Sequence, residues 1–186
     1  MTLGTEFAAT MADAKLGDEQ AIARLYRDVH PRLLAYLAAR VPRAAEDLAS
    51  EVWLAVARGL PAFEGDEPAW WAYLFTIARR QVAGHWRQAK RRRTDPADPA
   101  AFLDRAGSSD VETEGITAIA NSEAVALIVA NLSREQAEVV LLRLIAGLDV
   151  EQVARILDKK PGTIRVLQHR AVKRLAPLLP GLAVTQ

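Results

Sequence analysis

The chain of 186 residues is 51% apolar and 25% charged, enough apolar material for one or two globular domains. It has no cysteine, which excludes disulfides and thiolate metal sites and is compatible with a reducing compartment. No apolar run is long enough to span a bilayer, and the opening stretch MTLGTEFAATMADAKLGDEQ lacks a basic region followed by an apolar one, so neither membrane insertion nor a signal peptide is expected.

The net charge of +1 hides a segregation. Between residues 94 and 115 the acids Asp95, Asp98, Asp104, Asp110, Glu112 and Glu114 stand against Arg105 alone. From Lys159 onward the bases Lys159, Lys160, Arg165, Arg170, Lys173 and Arg174 stand without an acid. Such sorting suits a polyanionic partner met by the basic parts, although solvated faces plus a linker would give the same charges.

In chain order, Ala21, Ile22, Leu25, Val29, Leu33, Tyr36 and Leu37 form a helical stripe that Pro31 is expected to break locally. Leu48, Val52, Ala55, Val56 and Leu60 form a second, closed by Gly59 and Pro61. Trp70, Leu74, Ile77, Ala78 and Val82 form a third, opened by Pro68 at a first helical position. The third helix also carries Trp71, Tyr73 and Phe75, then Arg79, Arg80, His85, Trp86, Arg87 and the basic run Lys90–Arg93. A basic surface with interleaved aromatics can stack unpaired bases and hold their phosphates. Trp70 and Leu74 are expected in the core. Trp71 lies about 100° further round the helix, so the two tryptophans are not expected to point inward together.

Residues 88–115, QAKRRRTDPADPAAFLDRAGSSDVETEG, are too polar to build a core and read as a tether. Two helical domains follow, 1–93 and 116–186, joined by an acidic linker over 94–115. In the second, helical periodicity resumes at Ile116 and runs to about Leu132. Ser133 with Gln136 forms a capping-box signature before AEVVLLRLIA, and Gly147 is its stop. Asp149 with Gln152 repeats the signature before VEQVARIL. A short DKK turn follows, and Pro161 opens GTIRVLQHRAVKRLAPLL. Two helices joined by a tight turn, the second basic, make a helix-turn-helix. On the second helix Ile164, Leu167, Ala171 and Leu175 share the inward side. Arg165, Val166, His169 and Lys173 face outward, flanked by Gly162 and Arg170. Arginine can bond guanine in bidentate fashion and valine can touch a thymine methyl, whereas the lysine and the neighbouring arginine suit phosphates. Lys160 stands where a capping side chain is expected, leaving that helix start for water or phosphate.

From Gly17 to Leu179 the chain resembles bacterial sigma factors of the extracytoplasmic-function class, group IV of the sigma-70 family. EDLASEVWLAVARGLPAF resembles the helix that grips the β′ clamp helices of RNA polymerase. AWWAYLFTIARRQVAGHWRQAKRR resembles the segment that melts and reads the −10 element. LSREQAEVVLLRLIAGLDVEQVARIL with GTIRVLQHRAVKRL resembles the domain that reads the −35 element. The resemblance implies an all-α fold of two small helical domains on a flexible acidic linker. It implies polymerase contacts at Glu46, Asp47, Glu51 and Trp53. For the −10 element it implies contacts at Phe63, Glu64, Gly65 and Asp66 of a loop that captures a flipped base, and at Trp71, Arg79, Arg80, His85, Trp86 and Arg87. For the −35 element it implies Lys160, Gly162, Thr163, Arg165, Val166, His169, Arg170 and Lys173. The implied partners are core polymerase (β′ clamp helices and β flap), promoter DNA and an anti-sigma factor, in the bacterial cytoplasm and with no cofactor. Arg80 and Gly84 stand where the family often has Asn and Asp, and Leu167–Gln168 inverts the usual polar-then-leucine order.

An enzyme is not expected: His30, His85 and His169 are far apart, and no phosphate loop, nucleophile elbow or thiol is present. The alternative is a two-domain helix-turn-helix regulator whose first domain senses a ligand or a protein and which binds duplex operator without polymerase.

Overall fold

A computed structural model describes residues 3–94, 128 and 130–177. The acidic linker beyond Thr94, and most of the stretch expected to be helical from Ile116, lie outside the described residues. The described chain is helical and carries no strand. The first module contains α1 (Phe7–Lys15), α2 (Glu19–Arg40), α3 (Ala45–Gly59) and α4 (Glu67–Thr94). The second contains α5 (Arg134–Val140), which continues as a π turn over Leu141–Ile145, then α6 (Val150–Leu157) and α7 (Pro161–Leu175).

Local chemistry accounts for most of the boundaries. Asp18 caps α2 by accepting from the Ala21 N–H at 2.7 Å, and Asp66 caps α4 by accepting from the Ala69 N–H at 2.9 Å. Both capping boxes close reciprocally, Ser133 with Gln136 and Asp149 with Gln152. Gly147 ends the α5 segment at φ 68, as a helix stop requires. Asp158 takes the left-handed conformation at the end of α6 and turns the chain into α7. Lys160 contributes no capping side-chain bond.

Two expectations are corrected. Pro31 does not break its helix: α2 runs through it. The proline removes one backbone bond, but Val29 and Leu33 on either side are fully buried, and their packing holds the helix. α4 also continues through residues 88–94, which composition had placed in the tether. Extending a helix already formed adds a bond per residue, whereas starting one is costly.

The two modules share one core. α4 packs along α6, and α2 packs against the π turn. At their seam the Tyr36 hydroxyl, fully buried, donates to Glu138 Oε1 at 2.5 Å. Arg40 Nη2 lies 3.0 Å from Glu138 Oε2, with side-chain exposures of 12% for Arg40 and 7% for Glu138. Burial, and then the neighbouring Glu138 charge, hold the Tyr36 hydroxyl well above its ordinary titration range. Removing one member of a buried pair costs about 3–5 kcal/mol because it strands the other charge out of water. Here the stranded Arg40 can regain water if the modules part. Glu138→Ala is therefore expected to separate the modules while each keeps its helices. Small-angle scattering should show a larger radius of gyration with undiminished far-UV circular dichroism; an unchanged radius would show that the pair does not hold the seam.

Candidate nucleic-acid and partner interfaces

Ile164, Ala171 and Leu175 of α7 are buried and Leu167 is half-buried, so the helix is seated on its apolar side. Gly162, Thr163, Arg165, Val166, His169, Arg170 and Lys173 are all exposed on the rest of it, as is Lys160 just before it. Val166, 47% exposed, is an apolar group offered to solvent among donors, the combination a major groove can use. Arg165 rests on Glu151 at 2.9 Å, an exposed pair that contributes little stability and leaves the guanidinium free to exchange partners. The inverted Leu167–Gln168 order has a structural use: Gln168 accepts from Arg143 Nε at 3.2 Å, tying α7 to the π turn.

A second surface lies where the 63–66 loop meets α4. Gly65 sits at φ 150, and a Cβ there would come within 2.7 Å of the Ala69 Cβ and 3.3 Å of Phe63 Cζ. Only glycine lets the loop fold this tightly onto α4. Beside the loop is a hollow of about 610 Å³ bordered by Phe63, Glu64, Tyr73, Thr76, Ile77 and Arg80, with Arg155 of the second module at its edge. Phe63 and Tyr73 are tilted rings 5.4 Å apart. The flat rings, the hydroxyls and the guanidinium are groups that can hold an unstacked base. Thr76 and Ile77 were not singled out for a site from the sequence, and Tyr73 was named only as one of the interleaved aromatics of this helix. Their signal was there: with Arg80 they follow the 3, 4, 7 spacing of one helix face.

The other α4 residues are not gathered at this hollow. His85, Trp86 and Arg87 lie further along the helix, with Trp86 50% exposed. Trp70 and Trp71 are both buried, 1% and 2% exposed, so the expectation that they would not both point inward is corrected. Trp70 packs edge-on against Phe63. Trp71 stacks near Phe75, lies under the Arg32 guanidinium at 5.0 Å, and borders a cleft with Leu148 and Gln152 of the second module. Arg79 Nη1 donates to the Ile156 carbonyl, also in the second module, at 3.4 Å.

A third surface is the outer side of α3. Glu46, Asp47 and Glu51 are exposed and Trp53 is half-buried. The Trp53 indole donates to His30 Nδ1 at 3.2 Å, and Tyr26 stacks on His30 with ring centroids 4.4 Å apart. The trio is a pre-set aromatic face next to an acidic one. Burial lowers the His30 pKa from its ordinary value near 6.5, partly opposed by Glu46.

Comparison with known proteins places the chain in a family. Residues 25–92 match Sigma-70 region 2, and residues 122–175 match Sigma-70 region 4. The ECF RNA polymerase sigma factor ShbA of Streptomyces griseus is 34% identical over 182 residues, covering 94% of this chain and 95% of the relative. The chain belongs to the ECF sigma factors. SigD of Mycobacterium tuberculosis, another ECF RNA polymerase sigma factor, is 31% identical over 92% of this chain and 83% of its own. The fold is shared with CnrH in complex with the cytosolic domain of CnrY (TM-score 0.64, 21% identity, 94% of this chain and 97% of that one). It is also shared with the sigma factor RpoE of Bartonella quintana in complex with the anti-sigma factor NepR (TM-score 0.63, 24% identity, 87% and 98%). As a sigma factor the chain serves transcription initiation, binding core RNA polymerase and promoter DNA. No helix among the described residues is long and apolar enough to cross a membrane.

Two outcomes follow from this geometry. Below pH 6.5 the unfolded chain protonates His30 before the folded one does, so its contribution to stability is present above pH 6.5 and is lost as the pH falls. The urea midpoint should drop between pH 7.5 and 5.5, and drop less in His30→Asn, which keeps an acceptor but does not titrate; equal slopes would remove His30 from the account. Gly65→Ala should cost about 1–3 kcal/mol in the same unfolding measurement through backbone strain and the close approach to Ala69, and a neutral result would mean that the loop is not held in this form.

Proposed function

We propose that this ECF sigma factor fixes its register on the promoter with the outward side of α7 at the −35 element and holds an unpaired −10 base in the hollow beside the 63–66 loop. Arg165 and Val166 read base edges, while Lys160, Arg170 and Lys173 hold phosphates, with Gly162, Thr163 and His169 completing the contact surface. At the −10 element Phe63, Glu64 and Arg80, with Tyr73 and Thr76, take the base. His85, Trp86 and Arg87 follow the strand further along α4. Extruding a base costs a few kcal/mol of stacking, which ring contacts and hydrogen bonds in the hollow offset. The observation that carries this reading is the pairing of a fully solvent-facing basic side on α7 with a ring-lined hollow on α4.

Glu46, Asp47, Glu51 and the oriented Trp53 meet the polymerase clamp, the acids supplying steering and the indole the buried contact. The acidic linker runs through the polymerase cleft, and the β flap meets the second module. An anti-sigma protein is the expected regulator, a reading supported by the RpoE–NepR complex with which this fold is shared. The protein acts in the bacterial cytoplasm and carries out no catalysis of its own; binding energy drives opening. Trp71 is buried against the second module, so its use on DNA requires the modules to separate, whereas Arg79 is exposed and has only a long bond to the Ile156 carbonyl to give up.

Run-off transcription with core polymerase on a genomic fragment library tests the reading, and failure to initiate anywhere would defeat it. On a promoter so found, Arg165→Ala is expected to cost about 1–3 kcal/mol and to relax preference at one −35 position. A loss equal across all −35 variants would make Arg165 a phosphate contact instead.

A further inference from the structure

The seam between the modules borders a cleft of about 340 Å³ whose lining, apart from Arg79 and Arg80, lies outside the proposed promoter and polymerase contacts. Small-molecule sites occupy about 300–1,000 Å³. Arg40, Arg79 and Arg80 reach it from the first module, and Arg134 and Lys159 from the second. Its carboxylates are Glu135 and Glu138.

Among the described residues the charges do not balance. Glu138 is occupied by Arg40 and Tyr36, and Glu135 by Lys159 Nζ at 2.9 Å. Arg79, Arg80 and Arg134 have no carboxylate partner among the described residues; Arg79 has only the long bond to the Ile156 carbonyl. The Arg40 Nε is buried without an acceptor among the described residues, on the guanidinium that lines the same wall. Like charges gathered at the mouth of one cleft repel, even though Arg79, Arg80 and Arg134 are exposed and screened in part by water. A single-charge anion leaves most of this excess in place. A short chain of phosphates carries several charges along a line and offers each guanidinium a bidentate edge.

We propose that the seam cavity binds a linear polyphosphate group, whether free inorganic polyphosphate or the phosphate tail of a nucleotide, and that the bound group fastens the two modules together. Because its cations come from both modules, the site exists only in the closed arrangement, and a ligand that binds only that arrangement stabilises it. Binding itself requires neither polymerase nor promoter; only its consequence, competition with promoter engagement, rests on the function proposed above.

The test uses the full chain alone, without divalent metal, in calorimetric titrations at constant ionic strength with sodium tripolyphosphate, ATP and orthophosphate. Tripolyphosphate is expected to bind one per chain, at least about tenfold tighter than orthophosphate, a difference of about 1.4 kcal/mol, and to raise the melting temperature. ATP binding as tightly assigns the nucleotide tail as a ligand; weaker ATP binding assigns the inorganic chain. Arg134→Ala, at an exposed position outside the proposed DNA and polymerase contacts, is expected to weaken tripolyphosphate about tenfold and to cancel the melting shift, with the unliganded melt confirming that it folds. Arg58→Ala, an exposed base on α3, should change neither. Equal affinity for wild type and Arg134→Ala, more than one equivalent bound, or orthophosphate binding as tightly would overturn the proposal. So would a random-sequence DNA duplex that displaces tripolyphosphate with the same Arg134 dependence, which would give the cavity to a DNA backbone.

Discussion

A single carboxylate taken out of water governs how the two halves of this sigma factor meet. Glu138 is buried, and a buried charge is tolerated only when its oxygens are satisfied. One oxygen accepts from the Tyr36 hydroxyl and the other faces Arg40. All three groups lie on helices whose starts are set elsewhere: α2 by Asp18, α5 by the Ser133–Gln136 box. The contact is directional, so it selects one way of docking the modules where apolar packing between α4 and α6 alone would permit several.

That docking gives the two proposed nucleic-acid surfaces different status. The outward side of α7 is free in the closed form and can meet duplex DNA as it stands. On α4 the Tyr73–Arg80 hollow is open, but Trp71 is covered and Arg79 is tied to the second module. Under the proposed function, recognition of the duplex would come first and full use of α4 would follow module separation. Polymerase, promoter, an anti-sigma partner and a seam-bound anion would then act on one equilibrium, each favouring the arrangement in which it makes more contacts.

Much of the site was legible because helix periodicity and capping are local. Ile164, Ala171 and Leu175 recur at helical spacing, so the opposite side of α7 could be read as exposed, and it is. The paired boxes at Ser133 and Asp149 placed both helix starts. The hollow was only half legible: Phe63, Glu64 and Arg80 were named through a family resemblance and Tyr73 as one of the interleaved aromatics, whereas Thr76 and Ile77 join them because the glycine-tightened loop folds back onto that face of α4. Trp71 was misjudged because helical geometry says that two neighbouring tryptophans diverge but does not say that each direction meets a different module.

The amino-acid sequence by itself determined the helical class, the starts of the two helices with capping boxes, the sided character of α7 and the family. Each of these depends on residues within a few turns of one another, or on motifs in a fixed order. Only the tertiary structure decided the burial of Trp71, the continuity of α2 through Pro31 and the meeting of Tyr36 with Glu138, which are 102 positions apart. No periodicity pairs residues at that separation. The choice rests on which docking satisfies a buried carboxylate and closes an apolar seam at once, a condition of the whole chain rather than of any segment.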